Sequence, residues 1–525
     1  MKRIQWIYCF VCLLNLMLAS VAQANSNPLV RIGIIQHFGK NAQDKLIVQT
    51  SDKYDRLELT LPETAETLDL KNAQKQTTTY LNLQTAYFKL KDVEADKARL
   101  IVGSYRTYET ALYWADQLKK IVPEENWLVV YPNPWQVWAK VEDPQGLMQK
   151  LFQQGYHSAW IEETVTHKRI LNWLAKVSSE SGAQEFQFNR RKLLIKSLGN
   201  KAIMVGDKLY KGSIEIIPDS FGTYTVVNEL PLEEYLRGVV PLEVGVDAPK
   251  AALEAQAIVA RTYTLANLNR FLPDNYNLCA TQHCQVYGGI SVATPSTDEA
   301  VRNTSGQVMR GQDGQIAQVF YYSTDGGHSA NFADIWQSSG QEAHRLLKGI
   351  GTCTRLPDKF NLSNEDEARV FLTSSSAKDW NCYDAISPSF RWEKQIEQKR
   401  LTETFKSARD KWKFIWPEFK KILEVEVSER SSSGRVTKLS VTTDRGQFEI
   451  EKDEIRAALG GLRSTFFVIL KESNDKGEIV LKIKGAGFGH GVGLSQYGAR
   501  YLASKGISTD RILKFYFPQY ELSRL

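Results

Sequence analysis

The sequence predicts an α+β protein, with a mixed, β-rich core that carries helices and a small ferredoxin-like βαββαβ sandwich beside it. Three observations predict it. Residues 98–165 alternate strand and helix patterns in the order βαββαβ. Tyr210–Ile216 and Tyr224–Asn228 alternate apolar and polar residues with the period of two that a half-buried strand requires. Ala251–Ala266, by contrast, is an unbroken run of strong helix formers. At 525 residues the chain exceeds one ordinary core, so about two to four folding units are expected.

Residues 1–24 read as a secretory signal. Lys2 and Arg3 supply the positive start, Ile7–Leu18 the apolar stretch, and Ala22-Gln23-Ala24 the small-x-small cleavage site. Export to the periplasm or cell envelope follows, with no stable membrane span after cleavage, because no later segment is long and apolar enough. Residues 25–97 hold a buried strand at Leu29–Ile35, a second at Asp55–Leu61, and a polar connector over 62–80.

The 98–165 unit reads as strand Ala98–Tyr105, helix Tyr108–Ile121, strands Trp127–Tyr131 and Trp135–Val141, helix Gln145–Gln154 and strand Ser158–Glu162. A helical stretch over 166–180 leads into the β-rich 190–230 region, so 166–525 forms the remaining core. Within it, 358–425 is a charged insertion of largely helical pattern anchored by Trp380, Trp392, Trp412 and Trp416. Leu439–Val441 and Gln447–Ile450 form a hairpin. Hydrophobic content of 42% and charged content of 24% suit a globular protein, and a formal charge of +6 with dispersed Lys and Arg argues against nucleic-acid binding.

Four cysteines follow the signal: Cys279, Cys284, Cys353 and Cys382. An even number in an exported protein favours disulfides, 279–284 and 353–382. Cys279, His283 and Cys284 are also zinc-ligand types, so a structural zinc ion is the alternative.

Three segments carry candidate chemistry. In the first, Val239-Val240-Pro241-Leu242 delivers Glu243 into a loop before a helix that Asp247 can cap, with Pro249 in its first turn. Burial would raise the Glu243 pKa, as a general acid needs, while the helix amino end would lower it. Gln256 and Tyr263 share one face of that helix, and Arg261 lies on another. The second segment runs from Phe320 to His328 and holds Ser323 and His328 around a Gly326-Gly327 turn. The third, Gly485–Ala499, sets His490, Ser495, Gln496 and Tyr497 on a frame of six glycines.

Together these segments resemble the SpoIID/LytB family, named for the stage II sporulation protein D. The matching blocks are Leu232–Glu243 with Ala255–Tyr263, Gln285–Gly289, Tyr322–Gly327 and Gly487–Gly498, supported by Ser431–Val436 and Leu462–Thr465. Val30–Gly33 resembles the family's opening strand, which makes 98–165 an insertion. Asp325 stands where the family more often has Ser. The 98–165 unit resembles the SPOR peptidoglycan-binding domain through Ile101–Tyr105 and Thr107–Ala111.

The resemblance implies a lytic transglycosylase that cleaves peptidoglycan glycan strands stripped of stem peptides, with Glu243 as its acid. The sugar's own C6 hydroxyl would be the nucleophile, giving a 1,6-anhydro end, so no cofactor is required. Tyr287, Ser323, His328, His490, Gln496 and Tyr497 would help to bind sugar. Zinc held by Cys and His in some members keeps the Cys279, His283 and Cys284 question open. The LytB side implies a different role, a non-enzymatic glycan-binding enhancer of an N-acetylmuramoyl-L-alanine amidase.

Overall fold

Strand Leu29–Phe38 lies inside the largest sheet, antiparallel to Tyr224–Pro231 and parallel to the short strand Leu278–Cys279. The computed structural model describes residues 27–40, 44–52, 54–60, 75–78, 80–88, 98–162, 170–179, 182–189, 192–337, 346–356, 360–373, 380–473 and 479–525. The signal-like residues 1–24 lie outside these. Val30 and Ile32 are fully buried. At Gly33 the Tyr276 ring packs directly on the backbone, where an added Cβ would sit 2.7 Å from it. From Leu278–Cys279 the sheet continues through Leu29–Phe38, Tyr224–Pro231, Ser213–Pro218, Leu193–Ser197 and Leu57–Thr60 to Lys75–Thr78. The amino-terminal strand therefore shares one sheet with Leu193–Ser197, Ser213–Pro218 and Tyr224–Pro231.

A second sheet runs Gly182–Asn189, Ile170–Ser179, Tyr80–Phe88, Lys45–Thr50, Ile203–Val205, Lys208–Tyr210. This corrects two expectations. Ile170–Ser179 is a strand, not a helix, and part of the 62–80 connector, Lys75–Thr78, is one too. Their partners are remote in sequence: Ile170 pairs with Phe88 and Leu57 with Thr78. Strand formation of this kind depends on neighbours that a local pattern does not contain.

Between Phe88 and Ile170 the chain builds a four-stranded sheet in the order Leu128–Val130, Trp135–Lys140, Arg99–Tyr105, Trp160–Glu162, with every neighbour antiparallel. Helices Tyr108–Ile121 and Pro144–Gln153 turn Ala111, Ala115, Leu118, Leu147 and Leu151 into its core. Asp143 caps the second helix, its Oδ1 accepting from the Gly146 N–H at 2.9 Å. The unit docks on the larger body through Trp135 packed against Phe271, with ring centroids 5.0 Å apart and planes tilted by 45°, and a Glu109–Arg270 ion pair at 2.9 Å.

The 358–425 region is less helical than its pattern suggests. Helices Glu365–Thr373 and Gln398–Trp412 form, but Arg391–Glu397 between them is a strand paired with Ile479–Ala486, which pairs in turn with Phe467–Ser473. The expected hairpin is present as Val436–Thr443 and Gly446–Glu451, with Ile422–Arg430 on its other side. Helix Lys250–Ala266 runs through the main core, and twelve of its residues are buried. Alanine suits such a helix because neighbours can approach on every side. It begins without a side-chain cap, and Asp247 pairs with Arg500 at 2.6 Å instead of capping it. No helix among the described residues is long and apolar enough to cross a membrane.

Candidate active site

Glu243 sits in the last turn of the five-residue helix Val240–Val244, which follows helix Leu232–Arg237. Gly238 joins the two, and only a glycine fits there: an added Cβ would lie 2.4 Å from the Tyr287 ring. Val239, Val240 and Val244 are buried, whereas Leu242 and Val246 on either side of the acid are exposed. The carboxyl thus emerges from the core at an apolar rim.

Three donors hold it. The Val286 N–H donates to Oε1 at 2.7 Å, Gln496 Nε2 approaches Oε2 at 3.4 Å, and the Tyr321 hydroxyl also hydrogen-bonds the carboxyl. Burial pushes its pKa up, and these three bonds pull it down by less. The net direction is upward, toward the proton-carrying form. The amino end of helix Lys250–Ala266 is not among the partners, so the two effects that the sequence left in competition resolve in favour of burial. Its bonds come from a backbone amide, a phenol and a side-chain amide, not from a second carboxylate or a cation.

Two strings of neutral polar groups fix this arrangement. Gln496 Nε2 also lies 3.5 Å from Oε1 of Gln256, which is fully buried in the central helix. The same Tyr321 hydroxyl lies 3.1 Å from Gln285 Oε1, so its one proton is shared between that amide and the carboxyl, and Gln285 Nε2 donates to Thr264 Oγ1 at 2.8 Å. The two strings meet because the two-residue strand Tyr321–Tyr322 pairs in parallel with Leu494–Ser495. That register places Gln496, the first residue of helix Gln496–Ser504, opposite the acid.

Of the residues singled out in the sequence, Glu243, Gln256 and Gln496 are brought together. Tyr263 packs behind them, its ring 6.3 Å from that of Tyr321. Tyr497 is partly exposed beside them, its N–H donating to the Ser323 carbonyl at 3.0 Å. The others are placed in the framework. Arg261 is fully buried and clamps Glu233 with two bonds of 2.8 Å. Tyr287 donates its hydroxyl to Asn228 at 2.8 Å inside the core. Ser495 caps its helix, accepting from the Gly498 N–H at 3.1 Å. Gly326 and Gly327 take positive φ, and a Cβ on them would meet Ala486 and Cys353.

His490 lies on the opposite face of the Tyr321–Tyr322 strand. Successive strand residues point to opposite sides, so Tyr321 turns toward Glu243 while Phe320 and Tyr322 turn toward His490. Its ring packs among Phe320, Tyr322 and Trp336 at 5.0–6.0 Å, and its Nδ1 accepts from the Val492 N–H. Burial holds it down at about 3, neutral at any working pH. His328 is likewise held down, at about 4, with Nδ1 against the Ser329 carbonyl.

Tyr321 and Gln285 are the functional neighbours that sequence reasoning missed. Both lie in quoted motifs, and the available signal was the alternation along Phe320-Tyr321-Tyr322, which gives Tyr321 a face of its own.

Cys279 and Cys284 are joined as a disulfide, as are Cys353 and Cys382. His283 turns its Nε2 to the Tyr131 hydroxyl at 2.9 Å. With both sulfurs oxidised, neither offers the thiolate that a zinc site needs, so these three residues as arranged do not fit a metal. Among the described residues no other group of His, Cys, Asp or Glu is gathered to hold one.

Residues 220–310 match the family model described as "Stage II sporulation protein", and residues 330–493 match one described as a domain of unknown function, DUF8618. The chain is 26% identical over 348 residues to the stage II sporulation protein D of Bacillus subtilis (strain 168), covering 62% of this chain and 84% of that one. It is 26% identical over 303 residues to the amidase enhancer of the same organism, covering 54% of this chain but only 39% of that longer protein. An uncharacterized protein of Chlamydia muridarum (strain MoPn / Nigg) is 32% identical over 127 residues, 23% of this chain and 43% of its own.

Proposed function

The chain belongs to the SpoIID/LytB family, and on that premise we propose that it is an exported peptidoglycan lytic transglycosylase that remodels the cell wall. The observation that carries this reading is Glu243, a carboxyl raised by burial and bonded only by neutral groups. Hydrolytic glycosidases generally need two carboxyl groups, one as acid and one as base or nucleophile. A single carboxyl suffices when the substrate brings its own nucleophile.

Protonated Glu243 donates its proton to the glycosidic oxygen between N-acetylmuramic acid and N-acetylglucosamine, and the C1–O bond breaks. The carboxylate so formed accepts the proton of the muramic acid C6 hydroxyl as that oxygen bonds to C1, closing the 1,6-anhydro ring. Glu243 ends as it began, protonated. Gln496 and Tyr321 orient the carboxyl and stabilise its charged interval, and the exposed apolar side chains of Leu242 and Val246 give a sugar face something to rest on. Glycan strands stripped of stem peptides are the substrate that fits this reading, with the 98–162 unit as a SPOR-like second hold on the wall. Periplasm or cell envelope is the place of action.

The match to an amidase enhancer favours one second reading, a glycan-binding partner of an N-acetylmuramoyl-L-alanine amidase that cleaves nothing itself. Incubating the protein with peptide-free glycan strands and weighing the products separates the two. Anhydro-muramic ends support the transglycosylase. Their absence, together with a faster amidase, supports the enhancer.

A further inference from the structure

A cavity of about 690 Å3 lies away from Glu243, between the four-stranded unit and the 414–416 and 449–454 segments. Its volume falls within the roughly 300–1,000 Å3 of small-ligand sites. We propose that it binds an alkylammonium group, walled by the rings of Tyr105, Trp114, Tyr156 and Trp416 and faced by the carboxyl of Glu454.

The rings supply the first part of the argument. Tyr105 and Trp114 stack at 6.4 Å with 18° between their planes, and Tyr156 meets Trp114 edge-on at 5.9 Å. Trp416 closes the opposite side and donates its indole N–H to Glu454 Oε2 at 3.2 Å. Aromatic faces carry negative potential, so a pocket of them favours a cation that has left water.

Charge balance supplies the second part. Arg106 is paired with Asp453 at 2.6 Å, and Lys452 donates to the Trp336 carbonyl and to Gln337. Glu449 and Glu451 lie 3.7 and 3.6 Å from Lys438. Glu454 differs: the hydrogen bond it receives comes from a neutral indole. Burial beside Asp453 and Glu451 raises it to about 7, with Arg106 only partly offsetting this. Among the described residues Glu454 makes no ion pair of its own, so a carboxyl inside an aromatic box is completed by a ligand that brings a cation. Primary and quaternary ammonium share this chemistry. No residue of this wall belongs to the Glu243 surroundings, so the proposal is independent of the proposed function.

Isothermal titration of the full-length protein at pH 8 tests it, with 1,5-diaminopentane and tetramethylammonium as probes and 1-pentanol and the neutral N-acetylglucosamine disaccharide as controls. Saturable binding of either cation is expected, at least tenfold weaker in Glu454→Gln and in Trp114→Ala, and unchanged in Glu243→Gln. The stronger of the two cations identifies the source, primary or quaternary. Glu454→Gln preserves shape and carries the test if Trp114→Ala does not fold. No saturable cation binding, binding of the saccharide alone, or equal cation affinity in Glu454→Gln would overturn the proposal.

Discussion

Replacing Arg261 by methionine separates a framework role from a sugar-binding one. The guanidinium is fully buried, makes two 2.8 Å bonds to Glu233 and a third of 3.1 Å to the Gln307 carbonyl, and so ties helix Lys250–Ala266 to two other segments. Methionine retains most of the volume, so little cavity cost is added. What remains is Glu233 without its partner. Breaking a buried pair from one side costs about 3–5 kcal/mol, and the 16% exposure of the Glu233 side chain puts the loss near the lower end. At roughly 2–4 °C per kcal/mol for a cooperative unit of about 150–250 residues, melting should fall by roughly 6–12 °C, and by less if a larger part of the chain melts together. Differential scanning calorimetry measures this, and Glu233→Leu added to Arg261→Met should recover most of it. Glycan affinity of the folded variant at low temperature should match wild type. Unchanged melting with lost glycan affinity would refute the framework role and return Arg261 to the substrate.

Tyr321→Phe removes a bond to Glu243 that favours its ionised form; cleavage should fall about 10- to 100-fold, in line with roughly 1.5–3 kcal/mol for a hydrogen bond to a charged group, and the pH–rate limb of the acid should move upward. A pH profile that keeps its limb in place would count against this. Glu243→Gln should raise melting more at pH 8 than at pH 4. A carboxyl whose folded pKa is raised contributes stability that is present below its unfolded pKa and lost as pH rises through the folded value, and glutamine mimics only the protonated form. Equal shifts at the two pH values would contradict it. Cys279, Cys284, Cys353 and Cys382 should resist alkylation in the unfolded, non-reduced protein and all react after reduction, as mass spectrometry of peptides will show.

Strands and helices whose patterns are local were legible in the sequence. Tyr108–Ile121 forms at the residues expected because its apolar positions recur on one face, and the 436–451 hairpin forms because its two strands are adjacent in the chain. Ile170–Ser179 failed because its register is set by Phe88 to Leu81, far upstream. The site divides the same way. Glu243 was legible as a carboxyl delivered by an apolar run, but whether burial or a helix end governed it depended on packing. His490, flanked by glycines, resembled a ligand-binding histidine, and only the parallel pairing of Tyr321 with Leu494 shows it on the far face of that strand. The same pairing recruits Tyr321, which a motif read along the chain does not distinguish from Tyr322.

The most direct measurement is the rate at which 1,6-anhydro ends appear when peptide-free glycan strands are digested by wild-type and Glu243→Gln protein under single-turnover conditions, with strand binding measured in parallel. Loss of a general acid–base group costs about 10²–10⁴-fold, so the variant should bind strands as wild type does and cleave them slower by that factor. Equal anhydro product from both proteins would contradict the assignment of Glu243.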